Sequence, residues 1–371
     1  MRNTRLLLLA VGGAVLVSVV LIGFGLLRDT VLLPNEPVAK VGNQDILTRE
    51  FQQRVRLDRF QLIQQYDLFL SFGLQDNADQ ARQQLNDLRG IGSRVISTLV
   101  DEALYRQAAP ELGVNLTDDD VQRMIEEGFE YFRVPPTPAP TLTPAATPTP
   151  DAESSATPEP TVTPQPTATP VTEAGFRTLY QQRLSELAGL GFSEADYRRL
   201  FETQLIAQRV RDILWSQVVT LTEQAQFQYV RASAQEDIDR VQQAIEQDGF
   251  DSVYSQVLSQ TFTISAAVAI ELPFTPKEDL AESPQFGPAF ADAVFSTPIS
   301  STFGVITGTG GSVYYVGRVV SREVRELSPD ALSRRQSAII QDWLNQRRQL
   351  LNVQVLTWED RVPVDPDAGV R

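Results

Sequence analysis

The chain has 371 residues, more than one compact core needs, so two or three domains are expected. With 32 basic against 47 acidic residues its net charge is -15, a surface that repels phosphate backbones and excludes general nucleic-acid binding. It has no cysteine and no histidine. That rules out disulfides, thiolate nucleophiles, thiolate metal sites and a lipid-modified N-terminal cysteine, and with them the Ser-His-Asp triad, the helical zinc-protease motif and any imidazole base.

Leu6 to Leu27 is a run of 22 uncharged residues. At about 1.5 Å per residue a helix of that length matches the hydrocarbon core of a bilayer. Arg2 and Arg5 precede it, and Arg28 is followed at once by Asp29. The positive-inside rule then predicts a single-pass anchor within residues 1–34, with a cytoplasmic N-terminus and the bulk of the chain extracytoplasmic. The alternative is a cleaved signal peptide. Against it, the run exceeds the usual apolar stretch of about 7–15 residues, and no small-x-small site follows Leu27.

Beyond the anchor, Val38-Ala39-Lys40-Val41 and Asp45-Ile46-Leu47 predict two short extended segments around a Gly42-Asn43 turn. Thr48 then caps a helix running to about Phe72, with Phe51, Val55, Phe60, Ile63 and Phe69 at roughly helical spacing. A second helix is predicted from about Ala78 to Glu111 on the stripe Leu85, Leu88, Ile91, Val95, Leu99 and Leu104. Gly113 fits its stop. Thr117 or Asp118 opens a third helix. Its three adjacent aspartates read as macrodipole compensation far better than as a metal site.

Between Val134 and Thr172 lie twelve of the 23 prolines, among Thr, Ala and Ser and without an aromatic residue. Such a stretch buries too little surface to offset its ordering cost, and residues 134–172 are expected to be a disordered insert. Helical periodicity resumes near Phe176, with Leu179, Leu184 and Leu187, and continues in a helix carrying Tyr197, Leu200, Leu205, Val210, Ile213 and Leu214. The insert therefore interrupts a helical domain formed by residues 35–133 and 173–221. From Ala225 the pattern is mixed. Phe227, Tyr229 and Arg231 alternate as in a strand, and two short helices follow around Gly249-Phe250. An irregular run then leads to Phe286–Phe295, and β segments at Gly304–Thr307 and Ser312–Val320 flank a Gly-rich turn. Residues 222–325 thus read as a small α+β domain. Ser328-Pro329-Asp330 opens a C-terminal helix over 329–350, expected to pack back on the helical domain, and a short segment from Val353 to Leu356 closes residues 326–371.

Three stretches carry a family resemblance. Ala39-Lys40-Val41-Gly42-Asn43-Gln44-Asp45-Ile46-Leu47-Thr48-Arg49-Glu50-Phe51 resembles the opening of a SurA N-terminal chaperone domain. Leu99–Leu104 through Gly113 and Thr117–Val121 resemble that domain's continuation. Phe286-Gly287-Pro288-Ala289-Phe290-Ala291-Asp292-Ala293-Val294-Phe295, with Asp248-Gly249-Phe250 more loosely, resembles parvulin motifs. In order and spacing the chain is similar to the SurA/PrsA-type folding factors, which carry parvulin-type peptidyl-prolyl isomerase domains, over most of residues 35–325. The expected fold class is α+β: an N-terminal transmembrane helix, a mostly helical SurA-like chaperone domain with the Pro/Thr-rich insert, and a small parvulin-like domain.

The resemblance also marks departures. Parvulins grip the proline ring in an apolar pocket beside a histidine pair and a Cys or Asp. On this alignment the first histidine position falls on Gln228 and the second on Tyr314, the pocket methionine becomes Phe286, and the pocket phenylalanine is kept as Phe290. No clear counterpart supplies the Cys/Asp position. The substrate-binding set implied is therefore Phe286, Phe290, Gln228 and Tyr314, with no metal and no cofactor. Both expected histidines are absent, and loss of positioned polar groups costs orders of magnitude in rate. The expectation is an anchored extracytoplasmic chaperone for unfolded, newly exported polypeptides, with weak isomerase activity or none. A working isomerase and a non-enzymatic surface scaffold are the alternatives; a carboxylate hydrolase has no residue pair at a telling spacing to support it.

Overall fold

The computed structural model describes residues 31–133, 171–264 and 266–366, which are mixed α and β. They form two compact units, one of residues up to Ile213 together with Trp343 onward, the other of Leu214–Asp342. The transmembrane helix expected at residues 6–27 lies outside the described residues. Among the described residues no helix is long and apolar enough to cross a membrane. The membrane helix is accordingly removed from the fold class, which is α+β; hydropathy alone had supplied it. The insert expected over 134–172 also lies outside the description, apart from its last two residues.

In the first unit, β1 (Pro37–Val41) and β2 (Gln44–Leu47) pair antiparallel across a turn where Gly42 takes φ 60°, and the C-terminal strand β7 (Gln354–Val355) pairs with the other edge of β1. Helix α1 (Thr48–Ser71) is not capped by Thr48 as expected: Leu47 holds the N-cap position without a side-chain bond, and the Thr48 hydroxyl donates back to the Glu36 carbonyl at 2.8 Å. The single helix predicted from Ala78 to Glu111 is two helices, α2 (Gln75–Asn86) and α3 (Leu88–Ala108). The break sits at Asp87, whose carboxylate accepts from the Gly90 amide at 2.8 Å. A short acidic side chain satisfies a helix N-terminus better than a helix interior, so Asp87 starts a new helix inside an unbroken apolar stripe. Helix α4 (Asp118–Gly128) is opened by a capping box between Thr117 and Asp120, and Asp119 pairs with Arg123 at 2.8 Å and Arg133 at 2.6 Å. Asp119 and Asp120 are thus engaged in ion pairs and in the cap. Helices α5 (Glu173–Ala188, capped by Thr172) and α6 (Glu194–Trp215) follow.

The second unit is a four-stranded antiparallel sheet in the order β4-β3-β6-β5, from β3 (Leu221–Ala232), β4 (Val268–Pro276), β5 (Thr302–Thr307) and β6 (Tyr314–Glu326). Helices α7 (Gln235–Asp248) and α8 (Phe250–Leu258) cover one face; α9 (Lys277–Glu282) and α10 (Pro288–Ser296) cover the other. β4 lies in the stretch read from sequence as irregular. Its Val268, Ile270, Leu272 and Phe274 alternate as a strand requires, but Pro273 and Pro276 obscure the pattern. An edge strand tolerates proline, and β4 is an edge. Helix α11 (Pro329–Leu350) and α6 each run across a division between the units. The divisions thus fall inside helices and not at 222 and 325, because helical periodicity does not say which core each turn serves.

The end of α11 and the segment after it complete the first unit. Trp343 stacks on Tyr105 at 5.4 Å, and Arg347 and Arg348 pair with Glu111 and Asp101. Trp358, 7% exposed, meets Phe51 of α1 edge-to-face at 5.9 Å and lies over Gly92 of α3. A Cβ on Gly92 would stand 2.2 Å from Trp358 Cζ3 and 2.9 Å from Val362 Cγ2. Gly92→Ala should therefore destabilise the protein by about 1–3 kcal/mol through overpacking. Urea unfolding followed by tryptophan fluorescence checks this, with the loss expected in the transition that reports Trp358.

Candidate functional site

Two places in the molecule have the makings of a site, one in each unit. In the sheet unit, alternation along β3 sends Ala225, Phe227 and Tyr229 to the α9/α10 face, where they pack with Phe286, Phe290, Phe303 and Tyr315. The rings interlock: Phe286 stacks on Phe290 at 4.5 Å, and Phe290 meets Tyr315 at 5.2 Å, Phe303 at 5.5 Å and Phe227 at 5.6 Å. Phe290 and Tyr315 are 0% exposed, and the Tyr315 hydroxyl donates to the Gln285 carbonyl at 3.1 Å. Burial raises the Tyr229 phenol above its usual range. The cluster is packed aromatic core.

Gln228 and Tyr314 are elsewhere. Gln228 is half-buried on the α7/α8 face, its amide nitrogen donating to Glu271 at 3.0 Å and its amide oxygen accepting from Arg318 at 3.2 Å. Arg318 in turn pairs with Asp251 at 2.7 Å and lies over the Phe250 ring. Tyr314 packs on the same side, against the cluster of Val230, Ile238 and Val316. Of the four residues implied by the resemblance, the structure brings together Phe286 and Phe290 and puts the sheet between them and the other two. The residues that share the face with Phe286 and Phe290 are Phe227 and Tyr315, each one position from the residue expected. A one-residue shift moves a side chain to the opposite face of a sheet. The signal was present in β3, where the apolar phase runs through Ala225, Phe227 and Tyr229; in β6 the adjacent Tyr314 and Tyr315 hide it.

The first unit offers an opening instead. A cleft of about 680 Å³ lies among α1, α3, α5 and α6. Leu57 and Phe60 of α1, Leu187 of α5 and Leu200 and Phe201 of α6 give it an apolar lining that continues into the cluster around Phe192 and Tyr197. The walls also carry charge, held in pairs: Arg54 with Glu102 and Asp58 with Arg94, both at 2.7 Å and both linking α1 to α3. Burial raises the Glu102 carboxyl above the ordinary carboxylate range against the pull of Arg54 and Arg106, and raises Asp101 against Arg348. The Tyr105 phenol is likewise raised by burial. No lining group is arranged as a nucleophile with its base. The arrangement suits binding: a recess of ligand-pocket size, apolar at its floor, with paired charges that orient polar backbone.

Residues 1–135 match the family model of the SurA-like N-terminal domain. The match covers the N-terminal part of the chain and does not extend to residues 222–325. No curated protein matches the chain. Among solved structures it is similar to the foldase PrsA of Streptococcus pneumoniae (12% identity, 76% of this chain and 91% of that one, TM-score 0.27). It is also similar to a SurA-like chaperone of Campylobacter jejuni (13%, 87% and 99%, 0.29) and to the peptidylprolyl isomerase PrsA of Bacillus anthracis (9%, 71% and 99%, 0.32). Scores this low decide nothing about this chain.

Two expectations follow from the geometry. Phe290→Ala should destabilise the sheet unit by about 3–5 kcal/mol, as for any fully buried phenylalanine, whereas Gln228→Ala should cost about 1 kcal/mol or less; denaturant titration separates them. The folded Glu102 is raised above its unfolded value, so its contribution is fully present below the unfolded pKa and lost as pH rises through the folded one. Glu102→Gln should therefore gain stability relative to wild type as pH rises from the ordinary carboxylate range towards neutrality, measured by thermal melts across that window.

Proposed function

We propose that the protein is a folding factor that holds unfolded polypeptide, and that the cleft of the helical unit is where it does so. The observation that carries this reading is the cleft itself: about 680 Å³ of part-apolar recess left open in a SurA-like domain. Contact with Leu57, Phe60, Leu200 and Phe201 is non-directional, as a binder of many sequences needs. The Arg54–Glu102 and Asp58–Arg94 pairs are each neutralised by their partner, so neither presents an isolated ion to an apolar client. Extracytoplasmic work on newly exported chains belongs to the same reading and rests on the sequence of residues 2–28 alone.

Catalysis of prolyl isomerisation is not part of the proposal. The barrier to rotation is about 18–20 kcal/mol, and lowering it takes a pocket for the ring with polar groups around the amide. In the sheet unit, the place between Phe227, Phe286, Phe290 and Tyr315 is filled by those rings themselves. Opening it would expose at least one phenylalanine at a cost of about 1.5–3 kcal/mol before any substrate is bound. A surface scaffold built on the Pro/Thr-rich insert has no structural observation in its favour.

The purified chain should suppress aggregation of a chemically unfolded protein at stoichiometric amounts, monitored by light scattering. Phe60→Glu, which puts a charge into the cleft on a half-buried position, should abolish most of the suppression while leaving the circular dichroism unchanged. Cis/trans exchange of an Ala-Pro peptide should proceed at the uncatalysed rate. Equal suppression by Phe60→Glu would refute the cleft as the binding site.

A further inference from the structure

The turn between α1 and α2 presents further apolar surface, beginning one helical turn beyond Gln64 of the cleft lining. Leu68, Leu70, Phe72 and Leu74 are 52%, 41%, 71% and 46% exposed. The backbone there is firmly built. The Gly73 amide donates to the Leu70 carbonyl at 3.0 Å and the Leu74 amide to the Phe69 carbonyl at 2.9 Å, with Gly73 at φ 70°. This is a Schellman cap, which closes the end of α1 and fixes the direction of the residues around it. Such a cap commonly carries one apolar pair, between the positions of Phe69 and Leu74. It leaves Leu68, Leu70 and Phe72 without a local reason to be apolar.

The charges around this tip are of one sign. Between Arg59 and Arg82 the chain has Asp67, Asp76 and Asp79 and no basic residue. Asp79 is paired there with Arg82 at 2.9 Å; among the described residues no ion pair engages Asp67 or Asp76. An anionic lipid surface and a second copy of this acidic chain both meet that charge with repulsion. A positively charged polypeptide meets it with attraction.

We infer that the α1–α2 tip is a docking surface for unfolded polypeptide segments in which apolar residues stand beside lysine or arginine. The inference takes its partner class from the folding-factor reading but not the cleft. A segment of that kind places its apolar side chains on Leu68, Leu70 and Phe72 and its cations near Asp67 and Asp76. The tip is selective by charge, where the cleft, with its balanced pairs, is not.

The test uses the full-length chain and two fluorescein-labelled 15-residue peptides of alternating leucine and charged residues, one with lysine and one with glutamate, followed by fluorescence anisotropy. Wild type should bind the lysine peptide at least about tenfold more tightly, a preference that shrinks at high salt. Leu70→Ser with Phe72→Ser, both exposed positions, should weaken the lysine peptide about tenfold, and Asp67→Lys with Asp76→Lys should reverse the preference. The cleft variant Phe60→Glu should leave the preference intact, so that failure of the cleft reading is told apart from failure of this one. Equal binding of both peptides, or tip variants that bind like wild type, would overturn the inference. So would loss of self-association in the Leu70/Phe72 variant by sedimentation, or a loss of binding to vesicles, since either assigns the tip to another partner.

Discussion

The helical unit depends on a tryptophan held between two helices. Trp358 belongs to the last stretch of the chain, yet it sits between Phe51 of α1 and the bare backbone of Gly92 on α3. Around it the returning segment is tied down by Arg361, which donates to Thr48 at 2.8 Å and pairs with Glu36, and by β7 beside β1. Gln52 donates to the Arg361 carbonyl at 3.1 Å. These contacts all join residues more than 250 positions apart in sequence. The same two helices are joined by the ion pairs Arg54–Glu102 and Asp58–Arg94, which stand in the lining of the cleft.

That arrangement explains a division of labour inside one chain. The helical unit keeps part-apolar surface open between helices that are joined by ion pairs. The sheet unit does the reverse. On one face of its central strands β3 and β6, Phe227 and Tyr315 pack with Phe286 and Phe290 into a closed aromatic core, and on the other Val230, Ala232 and Val316 pack with helices α7 and α8. A Tyr or Phe core needs no titrating group and gains from ring contacts of roughly 0.5–1.5 kcal/mol each.

Much of this was legible in the residues. The β1–β2 hairpin, the long helix from Thr48, the capping of α4 by Thr117 and the strand–helix–helix order after Ala225 follow from local spacing and caps, which are local physics. What was missed depended on choices that local pattern leaves open. The break at Asp87 lies inside an apolar stripe that reads equally well as one helix or two. β4 is an alternating strand with prolines, legible only once its edge position is known. Most consequential was the phase of β3 and β6: alternation shows that a strand has two faces, but assigning Gln228 and Tyr314 to the pocket face required knowing which face α10 covers. The cleft itself, made by residues from four helices far apart in sequence, has no local signature at all.

The central claim is that unfolded polypeptide enters the cleft of the helical unit. Amide hydrogen exchange of the chain with and without a permanently unfolded client tests it most directly. The account requires slowed exchange in the turns of α1 around Leu57 and Phe60 and of α6 around Leu200 and Phe201, with β3 and β6 unchanged. Slowed exchange confined to the sheet unit, or none in those turns at client concentrations that suppress aggregation, would contradict it.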